Sequence, residues 1–299
     1  MTVINTNTAA SITANALTKN ERAMSQAMER LSTGVRINSA SDDAAGLAIS
    51  SRMTSQINGL NMAVRNANDA ISMVQTADGA MVEVESMLQR MRELAIQSKT
   101  ETNSSTDRTA LNTEYMSLAA EIERVAQNTQ WNGTDILDNT AGSGGSVTFQ
   151  VGANASQTIA IDFGDFTQAS GTFAAFLTGG SAGTTAAVIG GDKSLYDSDL
   201  TGAVTTAYIN TAIGAIDTAI TAVNSQRATF GASINRLEYA TDNLANVSQN
   251  TSASRSRILD ADYASETTEL ARTQIIQQAG TAMLSQANQQ AQSVLALLR

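Results

Sequence analysis

The residues best equipped for chemistry are three pairs of carboxylates, Asp42/Asp43, Glu83/Glu85 and Asp260/Asp262. Two carboxyl groups held together can divide the roles of general acid and general base. The chain has no histidine and no cysteine to assist them. The usual base, the thiol nucleophile and most transition-metal ligands are therefore missing. Asp192, Asp197 and Asp199 hint at a calcium loop, but their spacing misses the EF-hand pattern. The glycines form no phosphate-binding fingerprint. Helix capping and solvated helix faces account for the carboxylates better than catalysis does, so no enzyme and no cofactor or metal site is expected.

The elements that carry these residues are long helices at both ends of the chain, roughly 1–130 and 205–299. Leu17, Met24, Met28 and Leu31 follow a 7, 4, 3 spacing, interrupted by Gly34. Ser41, Asp42 and Asp43 read as the start of the next helix, with Ser41 as cap and the carboxylates at the positive end of the dipole. Met53, Ile57, Leu60, Val64, Ala67, Ile71 and Val74 then alternate steps of four and three. The series continues through Ala77, Met81, Val84, Leu88, Met91 and Ala95 after a doubled step of three near Val74, a stammer. About 45 residues of helix would run roughly 65–70 Å and depend on partners along the seam.

Ser104 and Asp107 fit a capping-box variant. The series Leu111, Tyr115, Leu118, Ile122, Val125, Thr129 predicts a helix folding back beside the previous one, and Asn132-Gly133 marks a turn. Val147–Val151 and Thr158–Phe163 read as two short strands. Helical spacing resumes at Ile209, Ile213, Ile216, Ile220 and Val223 and continues through Phe230, Ile234, Leu237, Leu244 and Val247. Polar Arg227 and Thr241 occupy two seam positions. A last series is Leu284, Ala287, Ala291, Val294 and Leu298.

Composition narrows the class. The 299 residues include no proline, and aromatics make up 4%, so long helices suit the chain better than a bulky globular core. Residues 1–100 carry nine acidic and nine basic side chains, and residues 201–299 seven and six. Residues 101–200 carry twelve and three, which concentrates the net charge of −10 mid-chain. Near-neutral ends can pack against each other, while an acidic middle suits a solvated surface. A basic phosphate-binding face is missing, so no nucleic-acid partner is expected. No stretch is apolar enough for membrane insertion, and residues 1–18 do not read as a secretory signal. Twelve of the twenty glycines lie between Gly142 and Gly202, which favours loops and strands there.

Specific motifs go further. Val3-Ile4-Asn5-Thr6-Asn7, Glu29-Arg30-Leu31-Ser32-Thr33-Gly34, Arg36-Ile37-Asn38-Ser39-Ala40 and Asp42-Asp43-Ala44-Ala45-Gly46 follow in order. So do Arg65-Asn66-Ala67-Asn68-Asp69, Val151-Gly152-Ala153-Asn154, Ala287-Asn288-Gln289 and Val294–Arg299. Over roughly 1–165 and 205–299 the chain resembles the bacterial flagellins, subunits of the flagellar filament. One departure is Ala291, where many relatives have proline.

The resemblance implies a mainly α fold, a long antiparallel helical hairpin and coiled-coil rod built from both halves, with a small β-hairpin region and a reduced outer segment. Its domains would be 1–43 with 255–299 for polymerisation, 44–166 with 204–254 as a helical rod carrying the β-hairpin, and 167–203 as a short outer loop or mini-domain. Leu17, Met24, Met28, Leu31, Leu284, Ala287, Ala291, Val294 and Leu298 would serve polymerisation. The resemblance further implies a secreted subunit of the bacterial flagellum, exported unfolded through the flagellar type III system and forming a helical homopolymer with itself. Its other partners would be an export chaperone, the filament cap and hook-junction proteins. Gln89, Arg90, Leu94 and Glu114 match positions contacted by Toll-like receptor 5 in recognised relatives. Two other readings stay open: a hook–filament junction protein, and an adhesin whose 167–203 loop binds a ligand. Ser170, Thr172, Thr178, Ser181, Thr184 and Thr185 are sites where O-linked glycans could sit.

Overall fold

The computed structural model describes residues 7–167 and 206–296, without side-chain detail for 206–208, 211 and 290–296. Five helices carry most of it: α1 (Thr8–Thr33), α2 (Ala44–Lys99), α3 (Ser105–Asn128), α4 (Thr206–Leu259) and α5 (Tyr263–Ala296). Four short strands make two separate antiparallel ribbons, β1 (Gln130–Trp131) with β2 (Thr134–Asp135), and β3 (Ser146–Gln150) with β4 (Thr158–Asp162). The fold is the expected mainly α one, with small β-hairpins. The 167–203 segment lies outside the described residues apart from Thr167, as do Asp192, Asp197, Asp199 and the serines and threonines considered for glycans.

The chain divides into two compact units, one of 1–57 with 248–299 and one of 58–247. In the first, α1 and α5 run antiparallel. Asn7 Nδ2 donates to the Ala287 carbonyl at 3.1 Å, Asn20 Nδ2 to the Thr273 carbonyl at 2.7 Å, and Arg30 Nη1 to Glu266 Oε1 at 3.1 Å. α1 opens with the Asn7 side chain accepting from Ala10 N–H, and closes where Gly34 turns left-handed (φ 72°) and returns its N–H to the Arg30 carbonyl. That glycine ends the helix because a Cβ would disfavour the turn.

The α1–α5 seam has a strict period. The inward positions of α1 are Ala10, Thr13, Leu17, Asn20, Met24, Ala27 and Leu31; those of α5 are Glu266, Leu270, Thr273, Gln277, Gly280, Leu284 and Ala287. Both alternate threes and fours, as a coiled-coil seam requires. Met28 does not belong to it: the helix places Ala27 inward, 2% exposed, and leaves Met28 54% exposed. Leu284 and Ala287 are half-buried on the seam; the side chains of Ala291 and Val294, and all of Leu298, lie outside the described residues. α5 runs unbroken through position 291.

The second unit has one extended core, including Met81, Leu88, Met91, Tyr115, Ile122 and Phe230. The stammer positions Val74 and Ala77 are fully buried without a break in α2. α3 folds back beside α2, its first turn held by a capping box between Ser104 and Asp107. α4 runs antiparallel to α2, with Arg92 paired to Asp217 and Arg227 to Asp78 and Glu85. The β1–β2 turn puts Asn132 and Gly133 at φ 50° and 78°, the left-handed pair that matches strand twist in two-residue hairpins. The β3–β4 ribbon pairs Val147 with Ile161 and Phe149 with Ile159. It is fastened on one side by Asn66 Nδ2 to the Gln150 carbonyl (3.2 Å) and on the other by Gln226 Nε2 to the Asp162 carbonyl (2.6 Å).

Candidate functional site

Five of the six paired carboxylates have structural partners, and Glu83 is exposed. Asp42 accepts the N–H groups of Asn38 and Ser39, and the Ser39 N–H above all holds its carboxyl below the ordinary value. Asp43 Oδ1 accepts the Gly46 N–H at 2.9 Å and so caps α2. Ser41, expected in that role, instead meets the Ser39 hydroxyl: the helix begins two residues later than the sequence suggested. Glu85 pairs with Arg227. Asp260 accepts from Ser256, and Asp262 from the Ala264 N–H at the start of α5. Among the described residues, no three His, Cys, Asp or Glu side chains are placed to hold a metal. No described helix is long and apolar enough to cross a membrane.

What remains functional is surface. On the terminal pair, Ile12 is 70% exposed, Ile275 66% and Met283 62%. Met28 and Ile276 are exposed too. These side chains lie off the positions that α1 and α5 turn towards each other. Sequence reasoning missed Ile12, Ile275, Ile276 and Met283 because they are off the 4-3 series; their signal is an apolar residue on the helix face that a partner-free helix would keep polar.

On the second unit, Gln89, Arg90 and Glu114 lie exposed. Arg90 Nη1 meets Glu93 at 3.0 Å and Nη2 meets Glu114 at 2.8 Å, linking α2 to α3. These bonds, that to Glu93 foremost, raise the guanidinium's pKa further above its ordinary value. Gln89 Nε2 reaches Glu85 at 3.3 Å. Leu94 differs from its three companions: it is fully buried in the core. It cannot touch a docked protein from the folded subunit, and its contribution is to pack beneath that surface.

The terminal regions match two family models. Residues 4–142 match the bacterial flagellin N-terminal helical region and residues 213–298 its C-terminal helical region. The chain belongs to the bacterial flagellin family. A flagellin of Halalkalibacterium halodurans is 46% identical over 276 residues, covering 92% of this chain and 91% of that one. A flagellin of Bacillus subtilis is 42% identical over 318 residues, covering 99% of each. Among solved structures, the crystal structure of Bacillus cereus flagellin is 32% identical, covers 60% of this chain and 88% of that one, and has a TM-score of 0.46. As a flagellin, the chain is a structural subunit that polymerises with itself into the extracellular bacterial flagellar filament.

Proposed function

We propose that polymerisation proceeds through the paired terminal helices, 1–43 and 255–299, after unfolded export by the flagellar type III system. The observation that carries this reading is the set of apolar side chains that the α1–α5 pair leaves in water, Ile12, Met28, Ile275, Ile276 and Met283. Burying them against neighbours offsets the entropy of ordering the termini at about 25 cal/mol per Å² of apolar surface. Repeating one heterologous contact with a rotation that does not close yields a helical filament. Leu17, Met24, Leu31, Leu284 and Ala287 hold the pair together, and Met28 faces the neighbour. Ala291, Val294 and Leu298 extend the C-terminal series. The absence of cysteine and proline suits transit as an open chain, since neither crosslinks nor slow prolyl isomerisation would delay it. An export chaperone, the filament cap and hook-junction proteins are the partners this route requires. The test is growth on short filament seeds. Full-length chain should extend them helically, and a chain lacking 280–299 should stay a folded, non-polymerising monomer. Filaments of normal length from the truncation would refute the reading.

We also propose that the free subunit is recognised by Toll-like receptor 5 through Gln89, Arg90 and Glu114. The supporting observation is that all three polar side chains are exposed and that Arg90 and Glu114 are ion-paired between α2 and α3. Leu94 acts from below by holding α2 in place.

A further inference from the structure

The α1–α5 seam is weakly specified by its apolar residues. Leu17, Met24 and Leu31 recur at intervals of seven, so sliding α1 by one heptad puts each where the next had been. On α5, Leu270 and Leu284 stand two heptads apart with Gly280 and Gln277 between them. A seven-residue slip would therefore bury nearly the same apolar surface, and hydrophobic cohesion alone leaves several registers open.

Two contacts are not invariant to that slip, and one polar tie is. Asn20, 8% exposed within the seam, donates to the backbone carbonyl of Thr273, itself 2% exposed, and a heptad slip offers it the equivalent carbonyl of Glu266 or Gly280. Arg30 reaches Glu266, whose side chain is 14% exposed. Leu17 lies against Gly280, its Cδ1 only 3.2 Å from where a Cβ would stand. Slipped one way, Leu17 meets the Cβ of Ala287 and Arg30 faces Thr273, where the nearest carboxylate, Glu269, is already paired with Arg272. Slipped the other way, Leu17 meets Thr273 and Arg30 passes beyond the start of α5 at Tyr263. Neither slip keeps both the Leu17–Gly280 fit and the Arg30–Glu266 pair, and a largely buried charge without its partner is costly.

We infer that the Arg30–Glu266 pair and the fit of Leu17 against Gly280 determine the register of the terminal helix pair, fixing which apolar side chains it presents to the next subunit. This rests on the reading of that pair as the polymerisation element. The Arg30–Glu266 pair thus gives up cohesion in exchange for a single alignment, as a polar seam residue can in coiled coils.

The chain has no natural cysteine, so introduced pairs report the alignment cleanly. Leu17→Cys with Gly280→Cys marks the observed register; Leu17→Cys with Ala287→Cys, and Leu17→Cys with Thr273→Cys, mark the two slips. Each pair is placed in the unaltered seam and in a seam carrying Arg30→Leu and Glu266→Leu, which removes the ion pair without stranding a charge. Subunits are mixed at one part in ten with unmodified chain on filament seeds, oxidised, and read in both pellet and supernatant. The apolar seam should lower the 17–280 crosslink at least threefold, raise one of the slip crosslinks, and reduce incorporation. Asn20→Leu alone should keep the 17–280 crosslink. Undiminished 17–280 crosslinking in the apolar seam, in either fraction, would overturn the inference. The polymerisation reading is checked separately by the 280–299 truncation, which involves no crosslink.

Discussion

Arg227 Nη1 stands 2.6 Å from Glu85 Oε2, joining α4 to α2, while its Nε reaches Asp78 Oδ1 at 3.0 Å. One cation thus bridges two carboxylates seven residues apart on the same helix. The position lies on the 4-3 series of α4, where a leucine would otherwise pack. Arg227→Ala should destabilise the second unit by about 1 kcal/mol, a figure reduced for the partial exposure of all three side chains. Denaturant titrations at low and at 1 M salt would check it, with the gap between the two chains narrowing at high salt.

Tyr115 is fully buried, and its hydroxyl has no hydrogen-bond partner. Tyr115→Phe should therefore stabilise the subunit by about 1 kcal/mol, since the orphaned O–H costs more than it contributes. Burial also raises the phenol's pKa above its ordinary value of 10.0. The unfolded chain releases this proton first. Stability from the neutral phenol is thus complete below pH 10 and falls as the pH rises from there towards the folded-state value. Melting temperatures measured from pH 9 to 11.5 should drop less steeply in Tyr115→Phe than in the parent chain.

Phe163 and Phe230 meet with ring centroids 5.6 Å apart and planes tilted by 48°, and both are fully buried. Phe163 directly follows β4, so this contact seats the ribbon on α4. Phe163→Ala should cost about 3–5 kcal/mol. Hydrogen exchange should accelerate first at the β3–β4 amides, ahead of those in α2.

Arg90→Ala with Glu114→Ala removes the ion pair between α2 and α3 and returns the exposed Glu93 carboxylate to water. Both side chains are exposed, so the melting temperature should move by no more than a degree or two. Receptor signalling in reporter cells should nevertheless fall at least tenfold. An unchanged response from the folded double variant would argue against recognition at this surface.

The sequence disclosed the second unit better than the first, for a physical reason. In α2 nearly every inward position is Met, Leu, Val, Ile or Ala, so the 4-3 period is visible as hydropathy. The capping box at Ser104 and Asp107 and the alternation in Val147–Val151 are equally local signals. The terminal seam hides because its inward positions include Asn20, Glu266, Thr273, Gln277 and Gly280. A search for apolar residues passed over them and preferred Met28 to Ala27. Likewise, Leu94 belongs to the same motif as Arg90 yet is buried, because burial depends on α3 and α4 arriving over it. Asp43 rather than Ser41 caps α2 because Asp42 closes the preceding turn and shifts the helix start.

The core of the second unit unites Met81, Leu88 and Tyr115 with Ile216, Phe230 and Leu237. The two groups are more than a hundred residues apart along the chain. A chain delivered from its first residue onward cannot complete that core until α4, through Leu237, has arrived, however long the earlier helices have been free to form. The consequence is one of timing: contacts of such wide separation pay their closure entropy late, so commitment to the folded state is deferred until most of the chain is present.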